Sequence, residues 1–168
     1  VDFLMNYGDL FLGKTTVLCK DTPAFIANRI GVFGLMSIFH LMDKLQLNID
    51  EIDALTGTVS GRPKSATFRT ADVVGIDTLV KVAMGVKENC PQDEAQNIFE
   101  IPLWLQKMVD KKWLGDKTGQ GFFLKKKLPD GSKEIDTLDL NTFEYKPRSK
   151  PKFATIDMAK TVDNLNER

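Results

Sequence analysis

KDTPAFIANRIGVFGLMSIFHLM, residues 20–42, carries more of the architecture than any other run in the chain. Asp21 or Thr22 offers a side-chain oxygen to the first free N–H groups of a helix, and Pro23 suits its first position. At about 100° per residue, Phe25, Ile26, Ile30, Val32, Phe33, Leu35, Met36, Ile38, Phe39, Leu41 and Met42 fall on nearly every side of the cylinder. The spacing predicts a long helix surrounded by protein. Asn28 and Arg29 interrupt its second turn. A buried amide without partners costs roughly 1–3 kcal/mol, so Asn28 is expected to have either an internal partner or a ligand.

Composition sets the outer bounds. The 168 residues make one domain, or one domain with an appendage. Lys plus Arg equals Asp plus Glu at 23 each, which gives no general attraction to nucleic acid or to an anionic membrane. The two cysteines, Cys19 and Cys90, match no zinc or redox spacing and read as buried reduced thiols of a cytoplasmic protein. No stretch of about 18 apolar residues suggests a membrane span, and no secretory leader is visible. The opening VDFLMNYGDLFLGK lacks an initiator Met, and its apolar residues recur at helical spacing with no cap before them. It reads as part of a longer chain.

Outward from the long helix, residues 15–20 (TTVLCK) are β-prone. Asn48 and Glu51 have capping-box form and start a short helix that stops at Gly57. Residues 57–78 form a compact, irregular connection, after which Asp77 is expected to cap a further helix. Pro102 opens another helix that runs toward Gly115. Beyond it, GDKTGQGFFLKKK leads into a β-run, and the Pro-Asp-Gly turn of LPDGSKEI into its hairpin partner. KPRSKPK reads as a basic, proline-interrupted linker and residues 153–168 as a final helix.

GDLFLGKT, residues 8–15, formally satisfies the phosphate-loop pattern. The pattern needs a strand before it and a helix after it, whereas a helical run precedes Gly8 and a β-prone run follows Thr15. Nucleotide binding is not expected there. No G-x-G-x-x-G occurs, and the single histidine, His40, lies roughly 18 Å from Asn28 along a straight helix. His40 reads as structural, and no metal cluster is visible. The residues thus show an amide seeking a partner without a visible base.

KDTPAFIANRIG resembles the K-D-T-x-x-F-x-x-N-R signature that opens the C-terminal domain of NAD-dependent 3-hydroxyacyl-CoA dehydrogenases. NIDEIDALTG at 48–57, GRPKSATFRTADVVGIDT at 61–78 and LGDKTGQGFF at 114–123 resemble further family stretches in the same order. The last matches the family's G-x-K-[TS]-G-x-G-[FY] ending, and Ala24 stands where many relatives carry Gly. The long form, through DMAK, looks most like multifunctional fatty-acid oxidation proteins that join this dehydrogenase to an enoyl-CoA hydratase.

The resemblance implies an all-α fold like the C-terminal domain of 6-phosphogluconate dehydrogenase, with a small β-hairpin and a C-terminal helix appended. Residues 1–124 would be the helical domain; residues 125–168 would hold the hairpin, the linker and the start of a following helical segment. In that family an N-terminal Rossmann domain binds NAD and supplies a histidine that takes the 3-hydroxyl proton of the acyl-CoA while hydride leaves C3. The helical domain closes the site and contributes the Asn of the N-R pair, which falls on Asn28. Arg29 would be a salt-bridging neighbour, and Ser60, Pro63 and Phe68 would line the acyl side. No cofactor is expected in this chain alone, which would be inactive by itself; a homodimer is expected. The rival reading is a purely structural helical association module in which Asn28 merely ties helices together.

Overall fold

The computed structural model describes residues 1–167. Helix α1 (Asp2–Asn6) runs on as a π-helical turn over Tyr7–Phe11, followed by an extended stretch and then α2 (Ala27–Leu45). Next come α3 (Ile49–Leu55), α4 (Phe68–Val74), α5 (Ile76–Asn89) and α6 (Leu103–Asp110). A three-stranded antiparallel sheet follows: β1 (Phe123–Lys127), β2 (Lys133–Leu138) and β3 (Tyr145–Pro147) in that spatial order. Short α7 (Ala154–Ala159) and a single 3-10 turn over Leu165–Glu167 come last. The body is therefore helical with a small sheet attached.

The core is built on one face of α2. Met36 and Phe39 are fully buried against Phe68 of α4, Leu79 and Ala83 of α5, and Leu105 and Met108 of α6. At its centre Phe39 stacks on Phe68 at 5.2 Å, and Phe122 meets Phe68 edge-on at 4.7 Å. Such offset and edge-on pairs add about 1 kcal/mol each to the burial of their rings. The sheet joins this core through Phe122, Phe123 and Leu138, with Phe123 registered opposite Thr137.

Several local expectations hold. Asn48 and Glu51 form a complete capping box, each side chain accepting the other's backbone N–H. Pro102 is the N-cap of α6, and the Pro-Asp-Gly turn joins β1 to β2 with Gly131 at φ 82°. His40 Nε2 lies 3.1 Å from the Ile98 carbonyl, a tie between α2 and the turn over Gln96–Phe99.

Others are overturned. The long helix is not surrounded by protein: Ile30 is 66% exposed, Leu41 48% and Leu45 58%. Its apolar residues are real, but half of them face outward. Nor does it begin at Pro23. Residues 23–26 form a turn in which Ala24 (φ 62°) and Phe25 (φ 49°) are both left-handed, and no side chain caps Ala27. A glycine at position 24 would take that φ without strain, which gives a physical reason for glycine at this point of the motif.

Residues 15–20 are extended but pair with no strand among the described residues, and Cys19 is exposed rather than buried, with Cys90 half-buried. Asp77 sits inside α5 and pairs with Lys117 instead of capping the helix. Helix α6 ends at Asp110, before Gly115. The basic linker is tied down: its first residues form β3, and Ser149 gives both its N–H and its hydroxyl to Asp50. The hairpin thus becomes a three-stranded sheet, because β3 finds open hydrogen bonds on β2. The final helix is only six residues long.

Candidate active site

Asn28 lies in the first turn of α2 and is exposed; among the described residues no protein group hydrogen-bonds its amide. The internal partner allowed by the sequence is thus absent among those residues. In the same segment Phe25 is 54% exposed, Ile26 46% and Ile30 66%. Several exposed apolar side chains close together in the sequence are the composition of a surface that another surface covers.

Arg29, next in the turn, is held within the chain. Its guanidinium donates to Asp93 Oδ2, and Asp93 Oδ1 accepts the Ala95 N–H at 2.9 Å. The hydrogen bond to Arg29, helped by that backbone N–H, holds the Asp93 carboxyl below the usual aspartate range. Arg29 is thus the salt-bridging neighbour expected of it.

The other expected site residues lie on other elements than Asn28. Ser60 is exposed on the turn after α3 and donates its hydroxyl to the Gly57 carbonyl at 2.9 Å; Pro63 is exposed two residues past Gly61. Phe68 is 0% exposed, stacked on Phe39 in the core, so its ring meets protein only.

Two buried carboxylates escaped the sequence reading. Asp53, on α3, accepts backbone N–H bonds from Thr67 (3.1 Å), Phe68 (2.7 Å) and Arg69 (3.4 Å), which caps α4 from outside. Asp72, on α4, accepts the N–H groups of Phe122 (2.8 Å) and Phe123 (3.0 Å), which anchors the glycine-rich ending to the body. Both lie inside the matched motif stretches. A carboxylate whose backbone partners begin 14 or 50 residues away leaves no periodic signal.

Burial pushes the Asp72 carboxyl up to about 6, against the two backbone N–H groups and Arg69, which pull it down. The unfolded chain releases this proton near the ordinary aspartate value, so between there and about 6 the folded state binds a proton that the unfolded state does not. Asp72 therefore lowers stability as pH rises from about 4 to about 6, by on the order of 3 kcal/mol. The carboxyls of Asp77, Asp93 and Asp116 are displaced downward and act in the opposite sense at lower pH. Urea midpoints of the chain and of Asp72→Asn, compared at pH 4 and pH 6.5, isolate this contribution. The substituted chain is expected to lack it; an unchanged pH difference would show that Asp72 titrates normally.

The sheet is antiparallel, and no strand leads through a glycine turn into a helix among the described residues. Those residues also contain no group of three side chains placed to hold a metal ion, and no helix long and apolar enough to cross a membrane.

The fold class these elements define is a helical domain with a small antiparallel sheet attached. It superposes on the crystal structure of M. tuberculosis FadB2 with a TM-score of 0.61 and 27% identity, over 72% of this chain and 41% of that one. The family model for the 3-hydroxyacyl-CoA dehydrogenase C-terminal domain matches residues 25–125, and the chain belongs to that family. It is 44% identical to a probable 3-hydroxyacyl-CoA dehydrogenase of Bacillus subtilis over 94% of its length and 19% of the relative's. It is 30% identical to a putative fatty acid oxidation complex trifunctional enzyme of Rickettsia prowazekii, over 93% of this chain and 21% of that protein. The chain thus spans about a fifth of the length of these relatives.

Proposed function

We propose that this chain is the substrate-completing and dimerising helical domain of an NAD-dependent 3-hydroxyacyl-CoA dehydrogenase, which oxidises 3-hydroxyacyl-CoA to 3-oxoacyl-CoA in cytoplasmic fatty-acid β-oxidation. Within it, residues 1–124 are the helical domain and residues 125–168 the hairpin, linker and C-terminal helix. The observation that carries the reading is Asn28: an exposed amide with no protein hydrogen-bond partner among the described residues, on a segment whose apolar residues Phe25, Ile26 and Ile30 are also exposed. A second domain laid against that segment would cover exposed apolar side chains and leave the amide facing whatever is bound between the two.

In this reading NAD, held by a Rossmann domain, supplies the hydride acceptor, and the chain's own residues supply position. The Asn28 carboxamide donates through its NH2 and accepts through its oxygen, so it holds the reacting region of the acyl-CoA against the catalytic histidine of the other domain. Ser60 and Pro63 are placed on the acyl side. Alone, the chain offers neither cradle nor base and is inactive.

Asn28→Ala in the full-length parent tests this. Removal of one positioned hydrogen-bonding group at a reacting centre costs roughly 100-fold in turnover. Because Asn28 is exposed, the melting temperature should stay unchanged. Unchanged 3-hydroxyacyl-CoA oxidation would reject the reading.

The structural alternative also has an observation behind it. Leu41 and Leu45 continue an exposed apolar stripe along α2 far from Asn28, which suits helix-on-helix contact with a second copy. A lowered melting temperature with full turnover in Asn28→Ala would favour that module.

A further inference from the structure

The first turn of α2 is poorly secured by its own backbone. It follows two consecutive left-handed non-glycine residues, Ala24 and Phe25, and its N-cap, Ile26, makes no side-chain cap. Phe25, Ile26 and Ile30 are each about half or more exposed. Left-handed residues of this kind persist where surrounding structure fixes them. Among the described residues, one side-chain hydrogen bond leads from this turn to the rest of the body: Arg29 to Asp93.

Asp93 is itself held from several sides. Its N–H donates to the Cys90 carbonyl at 3.0 Å, its Oδ1 accepts the Ala95 N–H at 2.9 Å, and its carbonyl accepts the Gln96 N–H at 3.2 Å. The same segment is fastened to α5, where Gln96 Nε2 donates to the Lys87 carbonyl at 2.8 Å. It is fastened to α2 further along, where Phe33 packs on Phe99 and His40 meets the Ile98 carbonyl. The side chain of Asp93 is 10% exposed and that of Arg29 35%, so the pair is only partly screened by water.

We infer that Asp93 is a positioning residue for the Asn28 amide: through Arg29 it fixes the rotational setting of the first turn of α2. The inference rests on the reading of Asn28 proposed above. Rotation of that turn carries Asn28 with it, since the two residues are adjacent on one rigid turn. Asp93 touches no substrate, and its effect reaches the reaction only through Asn28.

The test is a double-substitution cycle in the full-length parent. Asp93→Ala should lower kcat about 10-fold with KM nearly unchanged, and Asp93→Glu should restore part of the loss. In an Asn28→Ala background, Asp93→Ala should have no further effect on kcat. Equal losses in both backgrounds would show that Asp93 acts through stability or another contact, and would overturn the inference. So would full turnover in Asp93→Ala beside a defective Asn28→Ala. Full turnover in Asn28→Ala would instead remove the functional reading itself, and this inference with it. Where Asp93→Ala fails to fold, Asp93→Asn, which keeps the acceptor for Ala95, takes its place.

Discussion

Gly121→Ala is expected to cost about 3 kcal/mol or more, enough to leave a marginal domain largely unfolded. A Cβ built at Gly121 would lie 2.1 Å from Asp72 Oδ1 and 2.6 Å from the Gly115 Cα. Neither neighbour has room to yield. Asp72 is 2% exposed and its carboxylate is held by the N–H groups of Phe122 and Phe123, which follow Gly121 directly. Gly115 is itself confined, because a Cβ there would meet the Asp72 carbonyl oxygen at 2.3 Å. The loop from Gly115 to Gly121 thus closes onto Asp72 at distances that only hydrogen side chains permit.

Gly119, in the same motif, supplies the contrast. It has φ +73° but nothing within 4 Å of its missing Cβ, so Gly119→Ala should cost only about 1 kcal/mol for the backbone conformation. Urea denaturation of the two variants measures both. Equal losses would mean that contact with Asp72 does not explain the glycine motif.

Asp53→Ala is the second large effect expected, about 2–4 kcal/mol. The substitution leaves the N–H groups of Thr67, Phe68 and Arg69 without their acceptor, and Thr67 and Phe68 are buried where water cannot replace it. Thr67, the N-cap of α4, makes no side-chain cap of its own, so Asp53 performs that role from α3. Burial pushes the Asp53 carboxyl upward, against these same backbone bonds, which means the charge itself is not favoured there. Asp53→Asn keeps one acceptor oxygen and no charge, and should lose less than Asp53→Ala. Hydrogen exchange at residues 67–69 gives the local readout; protection unchanged in Asp53→Ala would show that α4 is capped in another way.

The helices were largely legible because their signals are local. Asn48 with Glu51 closes a capping box within one turn, and Pro102 sits where its missing N–H costs nothing. The Pro-Asp-Gly turn likewise dictates the hairpin it joins. Asn28 stood out for a similar reason, as an amide in an apolar run. The errors arose where a pattern had two tertiary solutions. An apolar residue at Ile30 or Leu41 has the same spacing whether it packs inside the chain or waits for another surface. KPRSKPK looks like a linker until β2 offers an open edge and Asp50 offers an acceptor to Ser149.

By itself, the sequence determined the helical class, the order of most elements, the family resemblance and the residue pair Asn28–Arg29. These rest on caps, periodicity and motif spacing, which act over a few residues at a time. Only the tertiary structure decided that Asn28 is exposed, that Phe68 belongs to the core, and that Asp53, Asp72 and Asp93 each fasten a distant segment. Arg29 and Asp93, or Asp72 and Phe122, are separated by many residues and meet only when α2, α4 and α5 have packed. Burial and long-range hydrogen bonding are properties of that packing, and no interval along the chain records them.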